Sequence, residues 1–132
     1  MIFFDTIYTV IKSSLPFLYA LIGFITVDFI TGFSKGLFVE GVSSAKMKQS
    51  AKKILRYFAL VFCSWLIDTL SIMCFEKFNT SLISVALIIW SSTVEAKSIM
   101  ENLSALGFNV PDFVFKKLEK FTQEERKNNE SD

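Results

Sequence analysis

The sequence contains no histidine, so the residue most often used as general base, proton shuttle and metal ligand is missing. It has only two cysteines, Cys63 and Cys74, in one apolar segment. On a helix their separation is roughly 16 Å along the axis, beyond the reach of a disulfide. Both are expected to be buried, inert thiols. No glycine-rich phosphate loop, nucleophile constellation or metal-spaced cluster is present. These absences argue against an enzyme and against any cofactor or metal. Nucleic acid is not an expected partner either; the net charge of +1 hides an uneven distribution along the chain and says nothing about partners.

What the chain has in abundance is apolar surface. Of 132 residues 52% are hydrophobic and 15 are phenylalanine, with a mean hydropathy of +0.44, which points to a membrane protein. Residues 14–33, "SLPFLYALIGFITVDFITGF", carry one charge and are long enough to cross a hydrocarbon core of roughly 30 Å. Flanking charges that cancel (Asp5, Lys12), the length of the run and the lack of a small-residue cleavage site argue against a cleaved signal peptide. Residues 54–75 form a second span, and residues 81–102 a third that reaches full length only by running through Glu95 and Lys97.

Between the first two spans lies "SKGLFVEGVSSAKMKQSAKK", a connector in which Gly36 and Gly41 are expected to break regular structure. Ser43 or Ser44 is placed to cap a helix that continues into the second span. "EKFNT", residues 76–80, is a short turn, so the third span runs antiparallel to the second. Gly107 stops the third helix and Pro111 suits the first turn of another. That last helix is expected to be amphipathic, with Phe113, Val114, Leu118 and Phe121 opposite Lys116, Lys117, Glu119 and Lys120, before a polar tail. The expected fold is thus all-α: a transmembrane domain over 1–107 with three transmembrane helices, and a cytoplasmic amphipathic helix and tail over 108–132.

The connector holds Lys35, Lys46, Lys48, Lys52 and Lys53 against Glu40 alone. Short Lys/Arg-rich loops stay in the cytoplasm, so the expected topology is N-terminus outside and C-terminus inside. These lysines also suit anionic lipid headgroups.

Charges inside the spans are costly and therefore expected to be partnered. In this topology Asp28, Arg56 and Glu95 share one depth, and Arg56 is the expected partner of Asp28 or Glu95, with Lys97 and Lys35 as competitors. Asp68 has no evident cation and is expected to be protonated or wetted by a cavity. Each span carries a polar stripe at three-to-four spacing. These are Asp28, Thr31, Gly32 and Lys35; then Ser64, Asp68 and Ser71; then Ser84, Ser91, Glu95, Ser98 and Asn102. Such stripes serve either interhelical packing or the lining of an oligomeric pore.

These residues resemble the toxin secretion/phage lysis holin family. The resemblance rests on "VDFITGFSKG", on "VSSAKMKQSAKK", and most specifically on "EAKSIMENLSALGFNVP" with Glu95, Ser98, Glu101, Asn102, Gly107 and Pro111 in register. One departure is the apolar N-terminal segment of many relatives, here reduced to "MIFFDTIYTVIK". The resemblance implies a protein that accumulates in the bacterial cytoplasmic membrane, forms homo-oligomers among membrane lipids, and opens a lesion through which a peptidoglycan hydrolase or a toxin leaves. The rival reading is a non-lytic scaffold or anchor whose tail recruits a cytoplasmic partner.

Overall fold

The computed structural model describes residues 1–75, 81–114, 116, 117, 119 and 120. Three helices dominate: α1 (Ile2–Lys35), α2 (Ser44–Cys74) and α3 (Leu82–Ala105). Each is long and apolar enough to cross a membrane. Among the described residues there is no strand.

α1 begins twelve residues before the expected start of the first span. Pro16 lies inside it, where its ring leaves one upstream carbonyl without a helical donor. Such a proline is tolerated in membrane helices, and this one does not divide α1. At its other end α1 runs without a break into a π-helical turn, Gly36–Glu40. Gly36 has helical dihedrals (φ −60°, ψ −41°) and so does not break the chain as expected. Gly41 does, at φ +81°, a backbone region that side-chain-bearing residues rarely enter.

α2 starts inside the basic connector, as expected, with Ser43 as its N-cap accepting the Lys46 amide at 3.4 Å. α3 ends in a Schellman closure. The Phe108 amide bonds to the Leu103 carbonyl and the Gly107 amide to Ser104, with Gly107 at φ +88°. The "EKFNT" turn lies outside the described residues, as do Leu118 and Phe121 of the expected amphipathic helix. Within that helix, residues 112–114, 116, 117, 119 and 120 have helical backbone.

Contacts between helices fix their directions. Ser13 meets Ser81 and Asp28 meets Asn102, so α1 and α3 are parallel. Tyr57 meets Glu95 and Asp68 meets Ser84, so α2 is antiparallel to α3. The packing stripes follow a heptad-like spacing of three and four residues: Ser14, Leu18, Leu21, Ile25 and Asp28 on α1; Tyr57, Val61, Ser64 and Asp68 on α2; Ser84, Ile88, Ser91 and Glu95 on α3.

The bundle is layered by depth. At the centre Leu21, Val61 and Ile88, one from each helix, form a dry cluster with Leu18, Ile25 and Trp65 against it. Polar layers lie on either side of it. Most large apolar side chains point outward, among them Phe58, Phe62, Ile30 and Leu70, an arrangement that lipid rather than water rewards. Cys63 and Cys74 belong to this outer surface and are exposed, contrary to expectation. In a bundle whose interior is claimed by polar groups, a small apolar thiol has no reason to be inside.

Candidate functional site

The first polar layer joins α1, α2 and α3 near the end that bears the basic connector. Asp28 sits on the inward face of α1, three and four residues before Thr31 and Gly32. Its Oδ2 lies 2.7 Å from Lys53 Nζ on α2, and its Oδ1 accepts from Asn102 Nδ2 on α3 at 3.2 Å. The same Asn102 amide reaches Thr31 Oγ1 at 3.4 Å. Gly32 makes room for it: a Cβ there would stand 3.4 Å from Asn102 Nδ2.

Lys53 also lies 2.8 Å from Glu95 Oε2, an ion pair without hydrogen-bond geometry. Glu95 is fully buried, and its other oxygen, Oε1, accepts from the Tyr57 hydroxyl. One ammonium therefore stands between two carboxylates from different helices. Buried charges are tolerable only when so partnered.

Two expectations change here. Arg56 is not the cation of this layer; it is exposed on α2, and Lys53, read from the sequence as part of the basic loop, takes its place. Tyr57 was not anticipated at all. Both had a signal: Lys53 and Tyr57 extend the α2 stripe of Ser64 and Asp68 backwards at the same spacing. Of the competing cations, Lys35 pairs with Glu40 at 3.0 Å and Lys97 stands 3.9 Å from Glu101.

The second polar layer is at the opposite end. Asp68, only 2% exposed, accepts the Ile83 amide at 3.1 Å through Oδ1 and the Ser84 amide at 2.7 Å through Oδ2. The Ser84 hydroxyl donates to the same Oδ2. Asp68 thus caps α3 from a neighbouring helix, where the free amides and the positive end of the dipole await an anion. In place of a cation, Asp68 has a partner made largely of backbone. Around it the Trp65 indole donates to Ser14 at 2.9 Å, and Ser13 and Ser81 share a hydroxyl bond of 2.6 Å.

The remaining stripe residues are less engaged. Ser64 is buried but bonds within its own helix, to the Val61 carbonyl at 2.7 Å. Ser71 is half-buried and contributes its carbonyl to the Phe75 amide. Ser98 is half-buried with no side-chain hydrogen bond among the described residues. Among the lysines, Lys46 pairs with Glu40 at 2.6 Å, whereas Lys48 and Lys52 are exposed. No group of metal-ligating side chains occurs among the described residues.

The interactions of both layers are hydrogen bonds and ion pairs between helices. They hold the three helices together, with Asp28, Lys53, Glu95 and Asp68 directed inward and Lys48, Lys52 and Arg56 exposed. Comparison with known proteins agrees in kind: the family model described as the bacteriophage holin family matches residues 5–123. No curated protein and no solved structure matches the chain.

Proposed function

The chain belongs to the bacteriophage holin family, and from that premise we propose that it oligomerises in the cytoplasmic membrane and opens lesions that release a peptidoglycan hydrolase or a toxin. Family membership and three apolar helices make it a multi-pass inner-membrane protein with a general tendency to self-associate. The lesion and its cargo are the proposal.

The observation that carries this reading is the inward orientation of the polar groups. Asp28, Lys53, Tyr57, Glu95 and Asn102 at one end, and Ser14, Asp68 and Ser84 at the other, all find polar or charged partners inside one chain. A chain in this state presents hydrocarbon to lipid and has nothing to line a water-filled hole. Lesion formation then requires the bundle to open, so that stripes now paired within one copy face water in an assembly of several. The arrangement supports packing as the resting job of the stripes and leaves pore lining to the opened state.

The orientation belongs to the same proposal. Lysines 35, 46, 48, 52 and 53 favour a cytoplasmic connector, which puts the N-terminus outside and the C-terminus inside. With Cys63 and Cys74 replaced by alanine, Ser43→Cys should react with an impermeant maleimide only after the inner membrane is permeabilised, and Ile2→Cys should react in intact spheroplasts.

Induced expression with a potential-sensitive dye tests the function. Collapse of the membrane potential at a reproducible time after induction is expected. A potential that persists at high membrane levels of the protein would instead favour a non-lytic anchor.

A further inference from the structure

The cations of α2 divide into two sets by helical position. Lys46 and Lys53, seven residues apart, turn towards acids: Lys46 to Glu40, Lys53 to Asp28 and Glu95. Lys48, Lys52 and Arg56 follow one another at spacings of four on a different face, and all three are exposed. They form a ladder about 12 Å long at 1.5 Å per residue.

No carboxylate answers this ladder among the described residues. At this end of the bundle Asp28 and Glu95 are held by Lys53, Glu40 by Lys35 and Lys46, and Glu101 lies by Lys97, while Asp112 and Glu119 form no ion pair with the ladder. The surroundings are apolar instead. Leu55, just before Arg56, is 66% exposed, and Ala59 and Cys63, three and seven residues beyond Arg56 on the same face of the helix, are exposed as well. A row of cations that climbs from a polar connector into a lipid-facing apolar surface meets one kind of anion at that depth, the phosphodiester of a phospholipid.

We propose that Lys48, Lys52 and Arg56 form a binding site for an anionic phospholipid, its phosphate held by the ladder and its acyl chains against Leu55, Ala59 and Cys63. The planar guanidinium of Arg56 grips phosphate through paired N–H groups at the lower edge of the headgroup layer. Lys48 and Lys52 reach it as mobile point charges from above. In the proposed orientation this is a lipid of the cytoplasmic leaflet, and that clause alone rests on the topology proposed above. The site also accounts for Arg56, which the ion-pair layer leaves out.

Native mass spectrometry of the full chain, released from detergent with equimolar phosphatidylglycerol and phosphatidylcholine, tests the site. Phosphatidylglycerol adducts should dominate. Replacing all three residues by glutamine should lower that preference on the order of 100-fold, since each cation near a membrane surface is worth about 1 kcal/mol. Lys12→Gln, an exposed cation at the other end of α1, should leave it unchanged. Circular dichroism checks that the variants keep their helices. Equal preference in the triple variant and the wild type overturns the proposal, as does a Lys12→Gln effect matching any one ladder residue. So does a gain of about tenfold or more on removing residues 122–132, because the acids Glu124, Glu125, Glu130 and Asp132 would then be the occupant. Depolarisation on expression does not enter this readout, so failure here and failure of the lytic reading are separable.

Discussion

Asp68 and Ser84 meet twice across two helices: the α2 carboxylate takes both the backbone amide and the hydroxyl of the same α3 serine. A helix start that would otherwise present free amides to hydrocarbon is closed by a neighbour. Asp68→Ala removes this cap and should destabilise the bundle by about 1–2 kcal/mol, with Asp68→Asn losing less. Unfolding in mixed micelles titrated with sodium dodecyl sulfate, followed by circular dichroism, measures it.

Lys53→Met leaves Asp28 and Glu95 facing each other without their shared ammonium. Removing one partner of a buried pair costs about 3–5 kcal/mol, so the variant should unfold at much lower detergent strength. Adding Asp28→Asn and Glu95→Gln should recover most of that loss, because neutral groups at these positions need no counter-charge. Non-additivity across the three changes is the measurement that counts.

Arg56→Gln should leave the unfolding free energy within about 0.5 kcal/mol of wild type, as surface substitutions generally do. The contrast with Lys53→Met, only three positions earlier, tells which cation faces the interior. A loss in Arg56→Gln as large as in Lys53→Met would reverse the assignment.

Gly32→Val places a branched side chain where even a single Cβ would stand 3.4 Å from Asn102 Nδ2. Asn102 should be displaced from Asp28 and Thr31, parting α1 from α3 at that end. Overpacking of this kind costs about 1–3 kcal/mol. In an induced culture the matching expectation is a shifted onset of depolarisation at equal protein levels.

Leu21→Ala thins the central cluster with Val61 and Ile88. A cavity there should cost about 2 kcal/mol or more. Ile22→Ala, one position away but exposed to lipid, should cost far less in the same unfolding titration.

The spans and their polar stripes were legible because period and length are local properties of the sequence. Asp28, Thr31, Gly32 and Asn102 lie together, and Glu95 is joined to Asp28 through Lys53. Lys53 and Arg56 were harder to tell apart, since both lie near a helix start and three residues of rotation decide which one faces inward. The partner of Asp68 left no mark in residue types, being backbone amide. Cys63 and Cys74 were misplaced by a rule that holds in water, where apolar groups go inside. In lipid that drive is absent, and polar groups compete for the interior instead.

The Leu21–Val61–Ile88 layer separates the two polar layers within a single copy. An ion entering from either side finds hydroxyls and charges for part of the way and then a stretch with no ligand to replace its hydration shell. In the lytic role proposed above, such a layer keeps each single copy electrically silent, so that a cell fills its membrane with them without dissipating its proton gradient until the copies act together.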